Sequence, residues 1–411
     1  MKRILPIFFL LFSFHTLLAR TIPVGRNEAV KTVRQGIEAA MTGDTVLVKK
    51  GLYKESNLLL TRSIVLIGEA GATLDGEGKN EILQISGQGI VVKGLTFQNS
   101  GYSSMDDLAS IKVVDASGIL IENNTINRAF FAIHINNSNY CVIQQNVISG
   151  LTKTEQTSGN GIHLWKCDNM LVKENQIKGH RDGIYFEFVT NSVIEKNISH
   201  NNIRYGLHFM FSNDDSYLEN TFLDNGAGVA VMYSKRVVMV KNHFQHNWGP
   251  SAYGLLLKEI SDAQIILNEF DQNTVAILME STNRLEVRDN NFKSSGYAMR
   301  IQASCSETTV HHNSFLSNTF DVATNGSLML NHFYNNYWDK YEGYDLNRDG
   351  IGDVPYHPVS MYSMVIEQNP NAGILMRSFM VTLLDKAEKA IPSLTPENMT
   401  DEQPIMKRSS L

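Results

Sequence analysis

One short pattern recurs along the chain: asparagine, any residue, then isoleucine or phenylalanine. It begins at Asn124, Asn146, Asn175, Asn220, Asn242, Asn268, Asn290, Asn313 and Asn331, and Asn197 keeps the spacing although Ile-Ser follows it. Successive intervals are 22, 29, 22, 23, 22, 26, 22, 23 and 18 residues. A period near 22 residues marks a stacked solenoid, in which each coil buries its inner face only against its neighbours.

A second motif interleaves with the first, as in "AIHIN" from Ala132, "GIHLW" from Gly161, "GIYFE" from Gly183, "GLHFM" from Gly206 and "GVAVM" from Gly228. These segments are short, β-branched and alternating, which favours strands. With Gly or Ala as position zero, position +1 holds Ile133, Ile162, Ile184, Leu207, Val229, Leu255, Ile277 and Met299. Position +3 holds Ile135, Leu164, Phe186, Phe209, Val231, Leu257, Met279 and Ile301. Both columns are apolar throughout and are expected to point inward. A third inward column lies three residues before each asparagine, from Ile121 to Val310. Buried amides must be hydrogen-bonded, so the asparagines are expected to stack as a structural ladder.

The fold class expected is all-β: a right-handed parallel β-helix over residues 20–340, about 22 residues per coil. Residues 27–41 place Val30, Val33, Ile37 and Met41 at helical spacing, an N-terminal cap helix. Residues 370–411 read as a C-terminal helix, with Ile374, Leu375, Phe379, Leu383 and Leu384 as its apolar stripe, followed by a flexible tail.

Alternation sends positions +2 and +4 outward onto one solvent-facing strip. It carries His134, His163, Tyr185 and His208 at +2, and Trp165, Glu187, Met210 and Met232 at +4. Insertions at 99–110, 150–160 and 246–253, the last containing Trp248, fall at one corner beside it. Loops along one edge of a solenoid border its binding face, so these residues form a candidate partner surface. Imidazole and thioether suit copper, which makes His163, His208, Met210 and Met232 a candidate metal set. Ordinary surface is the competing account.

The segment 341–369 contains "DLNRDGIGD", in which Asp345, Asn347, Asp349 and Asp353 match the opening of an oxygen-ligand calcium loop. Tyr356 stands at the twelfth position where an EF-hand needs Glu, so a structural Ca²⁺ in an end cap is the expectation. A polar turn without an ion is the alternative.

Residues 1–19 combine a basic start, an apolar run and Ala19 before Arg20, which reads as a cleaved signal peptide; an uncleaved anchor is the alternative. Beyond it no apolar run approaches the ~20 residues needed to span a bilayer. Three cysteines do not make a disulfide framework. A net charge of −6 argues against nucleic acid as a partner.

The run 159–244, the segment "NNYWDKYEGYDLNRDGIGDVPY" (335–356) and "LLDKAEKAIPSLTP" (383–396) resemble the NosD family of periplasmic proteins that mature nitrous-oxide reductase. The resemblance spans nearly all of the mature chain. It implies the β-helix of carbohydrate-binding and sugar-hydrolase modules. It also implies a non-enzymatic role in assembling the copper–sulfide centre of nitrous-oxide reductase, with a NosY-type ABC transporter membrane subunit and a NosL-type copper chaperone as partners. A carbohydrate-binding or polysaccharide-cleaving β-helix is the rival. A hydrolase needs two carboxyl groups about 5–9.5 Å apart, whereas Glu187 and Glu280 are four coils apart, roughly 19 Å.

Overall fold

Each coil supplies three short strands, exemplified by Val193–Glu195, Ile198–His200 and Tyr205–Met210. Stacked coil on coil, they form three sheets of 14, 13 and 12 strands, called here the first, second and third sheet. All pairings within them are parallel, as in Tyr205↔Ala227, Leu207↔Val229 and Met210↔Met232. The computed structural model describes residues 19–103, 105–151, 154–326, 330–375, 378–390 and 399–408; the leader expected over 1–19 lies almost wholly outside them. The solenoid has about 14 turns of about 23 residues, close to the sequence period.

All the residues at +1 and +3, and the whole column from Ile121 to Val310, are fully buried in one continuous core. The phenylalanine of Asn-x-Phe adds a stack inside the second sheet. Phe222, Phe244, Phe270, Phe292, Phe315 and Trp338 follow one another with ring centroids 4.0–5.5 Å apart. Rings held at strand spacing bury large area and add a stacking contribution of about 0.5–1.5 kcal/mol per pair.

The corner between the first and second sheets explains the asparagines. The residue before each asparagine at this corner takes a left-handed conformation, as Glu219 does at φ 54°, and the chain turns sharply there. Asn220 Nδ2 donates to Ile194 O at 2.9 Å and to Asn242 Oδ1 at 3.0 Å. Its own Oδ1 accepts from the amide and side chain of Asn197 at 2.9 and 3.0 Å. The ladder runs from Asn124 through Asn313 as expected and then passes to Asn336, 23 residues on, rather than to Asn331. Asn331 sits at an earlier corner, accepting from the Thr308 amide; the interval of 18 was a jump between corners. A second ladder, through Asn202, Asn225, Asn247 and Asn273, supports the turn into the third sheet.

Both ends are covered. Helix α1, Val33–Ala39, is capped by Thr32, whose side chain accepts from the Gln35 amide, and buries Val33, Gly36 and Ile37. Gly36 is needed there, since a Cβ would stand 2.5 Å from Val24 Cγ2. Met41, expected on the buried stripe, is 57% exposed because the helix ends before it. At the other end, helix α2, Met361–Gln368, joins Phe320, Tyr362, Ile366 and Val381 in a small cluster on the last third-sheet strand, and Arg300 pairs with Glu367 at 2.6 Å. Helix α3, Phe379–Ala390, follows with Phe379 80%, Met380 58% and Leu383 49% exposed. The last described residues are not a flexible extension. Asp401 bridges to Phe333 and to Tyr356, and Met399 enters the core.

Candidate functional site

The outward strip of the third sheet is closed over, contrary to the expectation of a wet surface. His134, His163, Tyr185 and His208 are all buried. They stack as one ladder, with centroids 4.6 Å apart for His134–His163, 4.7 Å for His163–Tyr185 and 4.6 Å for Tyr185–His208. Alternation gives the direction in which a side chain points but not what lies over it. Here the residues just before position zero fold across the strip. Phe131 stacks on both His134 and His163, and Tyr205 lies 4.9 Å from His208. The insertions complete the cover: Tyr253 meets the Tyr205 hydroxyl at 3.3 Å, and Glu155 reaches Arg204 at 3.6 Å.

Burial sets the chemistry of these imidazoles. It pushes the pKa of His134 down to about 4 and that of His163 well below its usual value, so both rings are neutral near pH 7. Among the described residues, neither ring nitrogen of His163 or of His208 has a hydrogen-bond partner. Beside them Asp182 is fully buried and accepts from Arg204 at 2.9 and 2.5 Å, with His208 Nδ1 3.6 Å away. Burial alone would raise the Asp182 pKa; the His208 and Arg204 contacts overcome it and hold the carboxyl at about 2. The Asp182–Arg204 pair escaped sequence reading, although Arg-Asp-Gly at 181 and Arg-Tyr-Gly at 204 put charge at the same place in successive coils.

The two histidines of the expected copper set do not adjoin. Tyr185 lies between His163 and His208 in the stack, and its hydroxyl is 3.6 Å from Met210 Sδ. Met210 and Met232 are register partners on neighbouring strands, half-buried at the edge of the strip. Among the described residues no three His, Cys, Asp or Glu side chains converge as a metal site. The rest of the expected partner surface borders the covered stack. Trp165 is half-buried under the Lys166 ammonium at 4.2 Å, Glu187 is half-buried beside Met210, and Trp248 is 58% exposed.

In the end-cap loop, Asp345 accepts from the amides of Arg348, Asp349 and Gly350, Asp353 from that of Leu346, and Asp349 from Ile351 and the Asn347 side chain. These are the hydrogen bonds of a polar turn closed by Asx side chains. The three cysteines are free and buried.

Residues 146–348 match the family described as periplasmic copper-binding protein (NosD). The chain is 28% identical over 372 residues to the probable ABC transporter binding protein NosD of Pseudomonas aeruginosa, covering 85% of this chain and 86% of that one. It is 26% identical to the protein of the same name from Stutzerimonas stutzeri, covering 82% and 81%. The chain is thus similar to the NosD family over residues 146–348 and to NosD-named proteins over more than four-fifths of its length. The NosD family is described as periplasmic, and among the described residues no helix is long and apolar enough to cross a membrane. Solved structures share the solenoid only. The catalytic domain of a GH87 α-1,3-glucanase superposes with a TM-score of 0.61 at 10% identity, covering 78% of this chain and 69% of its own. The surface adhesin PfbA of Streptococcus pneumoniae gives 0.56 at 15%, covering 71% and 94%. The mannuronan C-5 epimerase AlgE6 A-module of Azotobacter vinelandii gives 0.53 at 13%, covering 74% and 87%. A glucanase, an adhesin and an epimerase on one scaffold show that the fold does not choose the activity of this chain.

Proposed function

We propose that this chain is a non-enzymatic accessory protein, exported to the periplasm by its leader, that takes part in maturing nitrous-oxide reductase. In this role it works with an ABC transporter and a NosL-type copper chaperone to assemble the copper–sulfide centre. The observation that carries the reading is alignment, over more than four-fifths of the chain, with proteins named for binding an ABC transporter. The third-sheet strip supports the non-enzymatic part. Its central carboxylate, Asp182, is neutralised by Arg204 and sealed from solvent, and Glu187 and Glu280 stand four coils apart. A hydrolytic pair needs two carboxyl groups within about 5–9.5 Å, one of them free to protonate a leaving group.

The exposed apolar residues of α3, Phe379, Met380 and Leu383, suit a docking face for the membrane subunit of the transporter. The rim at Trp165, Met210, Met232 and Trp248 suits the chaperone or the reductase. The deciding experiment deletes the gene in its host and measures nitrous-oxide reduction with the copper and sulfide content of the purified reductase. Loss of the catalytic centre, restored by the wild-type chain but poorly by a Phe379→Ser, Met380→Ser double variant, is the expected outcome. A fully loaded, active reductase would overturn the reading and direct the next assay to polysaccharides.

A further inference from the structure

Two histidines far from the covered strip face one another at the ladder corner. His311 ends the strand Thr309–His311, and His312 follows it in the left-handed region at φ 55°. Adjacent residues of a regular strand point to opposite faces. The left-handed turn at His312 breaks that alternation and brings the two Nδ1 atoms to 2.8 Å. Two supports hold His311 in place. The ring of Tyr334, one coil on, stacks on it at 4.8 Å and 7°, and Glu286, one coil back, lies 3.5 Å from its Nε2. Glu286 is itself fixed by Arg288 at 3.2 Å. A carboxylate on the far nitrogen favours the tautomer with its proton on Nε2. The Nδ1 lone pair is then left free, as in carboxylate–histidine–metal arrangements.

The spacing is informative. Two imidazole nitrogens bound cis to one ion, each about 2.0 Å away and about 90° apart, stand about 2.8 Å from one another. Linear two-coordination would set them nearly 4 Å apart. His312 is exposed and His311 only half-buried, so an ion reaches the pair from solvent. Asp289 occupies the same corner position one coil earlier, where it pairs with Arg288 at 2.6 Å, so that Glu286 and Asp289 together carry one negative charge more than the guanidinium between them.

We propose that His311 and His312 form a surface site for a divalent first-row ion of tetragonal preference, with the other equatorial positions left to water or to donor groups of a partner. Cu(II) heads the affinity order for nitrogen ligands of this kind and is the ion of choice. Glu286 is a positioning residue for His311. The sequence signal was present in the adjacent pair before Asn313, but strand alternation hides it.

The test titrates the full-length chain with Cu(II) against glycine as competitor and follows it by electron paramagnetic resonance. One equivalent is expected, with a tetragonal signal coupled to two nitrogens. His311→Gln and His312→Asn are each expected to abolish that coupling, and Glu286→Gln to weaken retention by about 10-fold. Asparagine accepts the left-handed corner, as Asn335 does at φ 55° one coil on, so the thermal midpoint of His312→Asn should hold. Wild type that retains no copper against glycine, or a His311→Gln, His312→Asn double variant that retains it unchanged, would show that the two rings merely share an N–H···N hydrogen bond. Neither result changes the reductase content of gene-deleted cells, so failure here and failure of the maturation role are separable.

Discussion

At the scale of single residues, Asp214 and Asp215 show how little adjacency says. The sequence sets them side by side in a turn, but Asp214 is exposed and paired with Arg236 while Asp215 is fully buried. Asp215 Oδ1 accepts the Ser192 amide at 2.8 Å, and its Oδ2 has no partner among the described residues. Burial pushes its pKa from 3.8 up to about 8. The folded state therefore holds a proton that the unfolded state has released, and stability from this group falls as pH rises from about 4 to about 8. Asp215→Asn keeps an acceptor for Ser192 and removes the titration. The variant should match wild type near pH 4 and exceed it at pH 8 by up to a few kcal/mol. Urea unfolding at the two pH values checks this; a difference that does not change with pH would remove charge as its cause.

At the scale of strands and corners, the inward columns were legible because a solenoid core tolerates only apolar side chains at fixed spacing, and the structure buries all of them. The outward columns were legible in position but not in environment. His134, His163 and His208 lie on the face expected of them, yet Phe131, Tyr205 and Tyr253, from positions with no apolar periodicity, cover them. Tertiary cover of this kind leaves no trace in a two-residue alternation. The asparagine ladder was legible because a buried amide has few ways to be satisfied. Asn220→Leu tests it. Leucine would leave the Asn197 amide without its acceptor, remove one of the acceptors of the Asn197 side chain, and take a donor from both Asn242 Oδ1 and Ile194 O. Orphaning the buried Asn197 amide costs about 1–3 kcal/mol and the weakened groups beside it add to that, so a loss of a few kcal/mol is expected in denaturant unfolding. An unchanged midpoint would sink the ladder as a source of stability.

At the scale of the whole molecule, a stack of near-identical coils has no intrinsic reason to stop, and an open end would expose core and leave a ladder unfinished. The asparagine ladder ends instead on a residue from beyond the helices. Asp401 Oδ2 accepts from the Asn336 amide at 3.1 Å, Asn336 Nδ2 at 3.0 Å and Trp338 Nε1 at 3.0 Å. No repeat spacing connects Asp401 to Asn336, which is why a segment that reads as a polar tail is in fact the terminal rung. Asp401→Ala removes one acceptor from three buried donors, at about 1–3 kcal/mol for each donor that water does not reach. Nearest-neighbour coupling confines the damage, so the coils around 313–338 should open first while those around 146–250 keep their protection. Amide hydrogen exchange on the variant distinguishes the cases. Faster exchange limited to the last two coils is the expected result, whereas equal acceleration along the solenoid, or none, would mean that Asp401 does not close the stack.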